Sequence, residues 1–166
     1  MIKVKVIKND ILEAEEKIIV HQVNCFTMGS GVAKAIYTKF PNVKAEHKSL
    51  CEKYKDKREE LLGKIQLIDC TPKIVCNLFG QFEYGNDGKQ YTIYKHLYYG
   101  LETIFQYAKL NELDIAIPYK IGCERGGADW DKVHSKINEL AYRYSMTDNV
   151  KLYKYVPKST NNKHFK

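Results

Sequence analysis

Two glycine-bearing segments almost a hundred residues apart carry the side chains best placed for chemistry. The first, His21-Gln22-Val23-Asn24-Cys25-Phe26-Thr27-Met28-Gly29-Ser30-Gly31-Val32-Ala33, follows the apolar run Ile18-Ile19-Val20. The second, Ile121-Gly122-Cys123-Glu124-Arg125-Gly126-Gly127-Ala128-Asp129-Trp130, follows Asp114-Ile115-Ala116-Ile117-Pro118. Each runs from the end of a predicted strand into a predicted helix, where open α/β sheets present backbone N–H groups and helix N-termini to an anion. Two such loops imply a ligand with more than one phosphate or ribose. His21 and Asp129 have the types needed for proton transfer, with loop amides to stabilise charge. Each also has a structural reading: His21 as a satisfied histidine inside a buried strand, Asp129 as the N-cap of the helix it opens. Asn24 could bond a ribose hydroxyl or close an Asx turn in its own loop. Cys25 and Cys123 flank the loops, but nothing in the sequence pairs them with a base.

The first loop is not the dinucleotide fingerprint, since the third glycine and a following acid are missing, and no Gly-Lys-Ser/Thr makes it a Walker loop. The elements that must hold these loops follow from periodicity. Ile2, Val4 and Val6 alternate as in a strand, and 17–23 is a continuous apolar strand of the kind buried on both faces. Residues 31–40 read as a helix ended by Pro41, and 43–54 as a polar helix. Strands are predicted at 63–68, 73–79, 114–119 and 150–156, and helices at 92–110 and 129–144. The stretch Gly85-Asn86-Asp87-Gly88 is turn chemistry. Strands separated by helices predict a three-layer α/β/α domain with a mixed, mostly parallel sheet.

The chain has 166 residues and a formal net charge of +7, with 44% hydrophobic and 28% charged residues. That length predicts one domain, here 1–157, followed by a basic, flexible tail at 158–166. The charge fits phosphorylated partners, nucleic acid included, or simply a lysine-rich soluble protein whose acids are interleaved with its lysines. The five cysteines show no metal-ligand spacing, so no metal or cofactor is expected, and reduced thiols point to a cytoplasmic protein. No apolar run is long enough for a membrane span. Tyr91, Tyr94 and Tyr98 share a helical face that could stack bases or pack against a sheet.

The ordered set Asn9-Asp10-Ile11-Leu12, Asn24, Gly29-Ser30-Gly31-Val32-Ala33, Phe40-Pro41 and Ile117-Pro118 through Gly126-Gly127-Ala128-Asp129-Trp130 resembles the macro domain family across residues 1 to about 156. His21, three positions before Asn24, is similar to the branch that processes ADP-ribose 1''-phosphate and to short single-domain ADP-ribosyl hydrolases. The resemblance implies Asp10 on the adenine amine, Ile11 and Val156 beside the ring, and Asn24 at the distal ribose. It implies Gly29, Ser30, Gly31 and Val32 around that ribose and one phosphate. Ile121, Gly122, Cys123, Gly126 and Gly127 would hold the diphosphate through amides, with Arg125 adding a charged contact. His21, Asn24 and Asp129 would be the catalytic set. The implied partner is ADP-ribose or ADP-ribose 1''-phosphate, free or carried on a modified protein or nucleic acid. The implied function is hydrolysis, or non-catalytic reading of the modification. The chain departs from the family in opening with Asn9-Asp10-Ile11 rather than Gly-Asp-Ile. It also has Gly126 where a glycohydrolase subgroup that uses a lysine adduct has an aspartate, which removes the partner that a lysine such as Lys95 would need.

Overall fold

The computed structural model describes residues 2–27 and 29–157; the predicted tail at 158–166 lies outside them. Six strands form one sheet: β1 (Lys5–Lys8), β2 (Ile18–Val23), β3 (Ile65–Cys70), β4 (Lys73–Phe79), β5 (Ile115–Pro118) and β6 (Val150–Lys154). Their order is β1-β6-β5-β2-β4-β3. All neighbours pair parallel except β3 and β4, which form the antiparallel edge. The expected mixed, mostly parallel sheet is present.

Four helices cover its faces: α1 (Val32–Lys39), α2 (Pro41–Lys53), α3 (Tyr94–Asn111) and α4 (Trp130–Arg143). Alternation along β2 assigns the layers, because successive side chains leave a strand on opposite faces. Ile18 and Val20 pack with Leu97, Leu101, Ile104 and Phe105 of α3 and Val133 and Ile137 of α4. Ile19 packs with Ile36 and Tyr37 of α1 and Val43 of α2. Helices therefore lie on both sides, and β2 is apolar because neither of its faces meets water.

The first strand starts later than expected, at Lys5, and only Val4 of the predicted alternating set is buried. Val4 lies before the strand, where its N–H donates to Asn138 Oδ1 of α4 at 2.9 Å. Val6 faces solvent at the sheet edge, which an alternation too short to fix its phase could not tell. The predicted polar helix starts at Pro41, a residue suited to a first helical turn, and buries Val43, His47 and Cys51. Tyr94 and Tyr98 pack against the α3–α4 side of the core, whereas Tyr91, expected on the same helical face, lies before α3 with its hydroxyl donating to Asp87.

Phe105 is fully buried in the larger core. Phe105→Ala should lower the unfolding free energy by about 3–5 kcal/mol, read as a fall in the urea midpoint with an unchanged slope.

Candidate functional site

A cavity of ≈ 500 Å³ opens at the carboxyl ends of β2, β4 and β5. It is lined by His21, Gln22 and Asn24 of β2 and its exit, by Gly29 to Ala33 of the first loop, and by Lys120, Ile121, Gly122, Glu124, Arg125 and Gly126 of the second. Gln81, Tyr84, Gly85 and Asn86 close a third side. The two glycine loops thus meet where the sequence put them. The structure also brings there three of the implied backbone positions of the second loop, Ile121, Gly122 and Gly126, together with Arg125.

Other predicted residues lie elsewhere. Asp129 is exposed and is not among the cavity residues; its carboxylate accepts from Asp131 N at 2.9 Å as the N-cap of α4. The capping reading therefore describes its contact in the fold. Cys123 and Gly127 do not line the cavity. Asp10 caps a 3-10 turn at Ile11–Glu13, with Oδ1 accepting from Leu12 N at 2.9 Å, and Ile11 is buried against the sheet. Neither lines the cavity, but Leu12 borders a shallower depression of ≈ 490 Å³ beside α1, and Gly31 is common to both. Val156 is half exposed beyond β6.

The first loop is tied down from below. His47 of α2 sits with Nε2 2.8 Å from Asn24 O, so it donates there, and its Nδ1 accepts from the Tyr37 hydroxyl at 2.6 Å. Arg58 donates to Cys25 O at 2.9 Å and Cys51 O at 3.2 Å, with its guanidinium 4.5 Å from the centre of the Phe26 ring. Asn24 Oδ1 accepts from Phe26 N at 2.9 Å, an Asx turn. A Cβ on Gly29 would stand 2.4 Å from Tyr37 Cε2, so only glycine lets the loop lie on that ring.

Gln22 and Thr92 hold the second loop. Gln22 Nε2 donates to Gln81 Oε1 and Thr92 Oγ1, each at 2.7 Å, and the Thr92 hydroxyl donates to Gly122 O at 2.7 Å. Gly126 O accepts from Tyr91 N at 2.8 Å and Thr92 N at 2.9 Å. Within the loop, Ile121 N, Cys123 N and Gly127 N donate to Pro118 O, Lys120 O and Glu124 O. Among the described residues, that leaves Lys120 N, Gly122 N, Glu124 N, Arg125 N and Gly126 N without an acceptor in the chain, and all five residues line the cavity. Gln22, Thr92, His47 and Arg58 escaped the sequence reading. A glutamine inside an otherwise apolar strand was the one signal available for Gln22.

Burial sets the electrostatics. His21 and His47 are both withdrawn from water, and burial lowers each to about 4, so both are neutral at pH 7. Burial pushes the Cys25 thiol up to about 12 and the Cys123 thiol up to about 11, so neither is a thiolate. The formal charges on the cavity wall are Lys120 and Arg125 against Glu124. Among the described residues, no group of three or more His, Cys, Asp or Glu could hold a metal ion, and no helix is long and apolar enough to cross a membrane.

The histidines make stability depend on pH. An unfolded histidine takes up its proton near pH 6.5, whereas these two resist it until about 4. The unfolded chain then binds more protons, so stability is full above pH 6.5 and falls as the pH drops towards 4. The expected slope is about 1.4 kcal/mol per pH unit for each histidine, read from urea midpoints at pH 7, 6 and 5. A flat profile over that range would contradict the neutral histidines.

No family model matches this sequence, and no curated protein does. Solved structures do. The macrodomain of Mycobacterium tuberculosis DarG superposes with a TM-score of 0.74 at 19% identity, covering 93% of this chain and 98% of that one. A macrodomain protein from Streptomyces coelicolor gives 0.74 at 19% identity, covering 94% and 100%. Thermosipho africanus DarTG in complex with ADP-ribose gives 0.65 at 19% identity, covering 97% of this chain and 46% of the larger one. At these identities the likeness concerns the fold, and the chain has the macrodomain fold.

Proposed function

We propose that the cavity binds ADP-ribose or a close derivative and that the protein hydrolyses a bond at its distal end. The observation that carries this is the pair of glycine loops closing one cavity, with Gly122 N, Arg125 N and Gly126 N free to donate and the N-terminus of α1 opposite. Free N–H groups aimed at a cavity suit phosphate oxygens. Lys120 and Arg125 supply compensating charge, and Glu124 limits it. The shared fold includes a structure solved with ADP-ribose, which supports the same ligand here.

In this reading Gly122 and Gly126 hold the diphosphate, and Arg125 adds a charge-assisted contact. Gly29, Ser30, Gly31 and Val32 wrap the distal ribose with Asn24 beside it. Asp10 and Ile11 lie towards the adenine end, past Gly31. His21 and Gln22 both line the cavity with an unpartnered acceptor, Nδ1 and Oε1, and of the two only the His21 ring can take up a proton. Two substrates fit: ADP-ribose 1''-phosphate, which with water gives ADP-ribose and inorganic phosphate, and ADP-ribose joined to a protein or nucleic acid. A second reading, a non-catalytic reader of the modification, draws on two observations. Asp129 is spent as a helix cap, and His21 is neutral and covered.

Phosphorus NMR of the protein mixed with ADP-ribose 1''-phosphate separates these. Growth of inorganic phosphate, reduced at least about 10²-fold in His21→Ala, identifies the phosphatase. Shifted diphosphate resonances without turnover favour the reader or a hydrolase for another linkage. Unchanged spectra would sink the ligand assignment.

A Cβ on Gly126 would lie 2.3 Å from Thr92 Oγ1 and 2.4 Å from Gly122 O. Gly126→Ala should therefore displace the loop and weaken ADP-ribose at least tenfold by calorimetry, with the far-ultraviolet spectrum unchanged. Full affinity in that variant would remove the second loop from the site.

A further inference from the structure

A row of polar side chains crosses the α1–α2 face of the sheet. His21 of β2 is in register with Asn77 of β4, and Asn77 with Gln66 of β3. The row ends on α2, where Gln66 Nε2 lies 3.0 Å from Glu46 O. A backbone carbonyl can only accept, and this fixes every proton in the row. The Gln66 amide nitrogen must face Glu46, so Gln66 Oε1 faces Asn77 Nδ2, at 3.1 Å. Asn77 Oδ1 then faces His21 Nε2, at 2.5 Å. Turning either amide over would set oxygen against oxygen or N–H against N–H. His21 Nε2 must therefore carry a proton, and the neutral ring has its lone pair on Nδ1.

That Nδ1 is buried and has no hydrogen-bond partner. Leaving a buried acceptor unmet is costly, so its retention calls for a partner that arrives from outside the fold. His21 lines the cavity, and the cavity is where a partner could enter. Asn77 is wholly buried and does not itself line the cavity.

We infer that Asn77 and Gln66 are positioning residues that hold the His21 proton on Nε2 and so present Nδ1 to the cavity as an acceptor for a ligand hydroxyl. This rests on the proposed ADP-ribose site for the identity of the ligand, whose distal ribose supplies such hydroxyls. The tautomer itself does not depend on it. Gln66 acts at two removes: without it, nothing stops the Asn77 amide from turning and handing His21 a donor in place of an acceptor.

The test is long-range proton–nitrogen correlation NMR of the whole chain labelled with nitrogen-15, at pH 7, without ligand and with saturating ADP-ribose. The expected spectrum shows His21 as the Nε2–H tautomer, with an Nδ1 resonance that moves upfield when ADP-ribose binds. Gln66→Leu should give a mixture of the two tautomers and about tenfold weaker ADP-ribose binding, its amide spectrum otherwise native. Asn77→Asp, which can only accept, should restore the Nε2–H form and raise the pH at which His21 protonates. Should Asn77→Asp fail to fold, the Gln66→Leu spectrum still decides. An Nδ1–H tautomer in the native protein, or a Gln66→Leu variant with an unchanged tautomer, would overturn the relay. If ADP-ribose binds and Nδ1 does not move, the acceptor role is wrong. If ADP-ribose does not bind while the tautomer is as expected, the ligand assignment fails and the relay stands.

Discussion

Polar groups at the carboxyl end of β2, in a place water does not reach, are the constraint on which the site is built. β2 lies between β5 and β4 with a helix layer on each face, so a polar atom it carries is costly unless a partner meets it. Three of its last polar positions meet partners in three directions. His21 engages β4, Gln22 engages Gln81 and Thr92, and the Asn24 carbonyl engages α2 through His47. Each partner also grips something that shapes the cavity. Thr92 holds the Gly122 carbonyl, and His47 is held by Tyr37, the ring on which Gly29 lies. The need to satisfy a buried strand end thus becomes the device that fixes both loops against the sheet.

The same burial decides what chemistry the cavity can offer. Histidines held neutral supply hydrogen-bond acceptors but no charge, and thiols held protonated supply no nucleophile. The attraction for anions must then come from oriented N–H groups of the second loop and the first turn of α1, which need no counterion. Lys120 and Arg125 add formal charge at the wall, where Glu124 opposes them. Binding dominated by fixed dipoles should be less sensitive to salt than the net charge of +7 suggests.

Much of this was legible in the sequence, and the exceptions share a cause. Both loops announced themselves, because glycine at a strand–helix junction has few other reasons to recur, and the apolar run of β2 marked the sheet centre. The phase of β1 was not legible, since an edge strand of four residues is set by its pairing with β6 and by Asn138 rather than by its own pattern. Asp129 had two readings, and the capping one, which needs only its own helix, is seen in the fold. Gln22, Thr92, His47, Asn77 and Gln66 were out of reach for another reason. Their work consists of contacts between residues 10 to 70 positions apart, and a single sequence carries no sign of cross-strand register.

The proposed hydrolysis would draw on what the cavity wall contains, with Asp129 placed at the end of α4. A neutral His21 with depressed basicity is a poor general base, because a proton acceptor works best when its pKa is near the operating pH. It is better suited to orienting a hydroxyl or a water by accepting its hydrogen bond. Glu124, the carboxylate on the cavity wall, stands beside the loop amides proposed for phosphate. Loop amides would then stabilise the charge that develops on phosphate oxygens, leaving no strong acid to assist the leaving group. Such an arrangement favours substrates whose leaving group is already stable, and phosphate on an anomeric carbon, like a carboxylate there, is one. Under the proposed hydrolysis, that favours esters at the distal ribose over stable linkages such as an N-glycosidic bond to an amide.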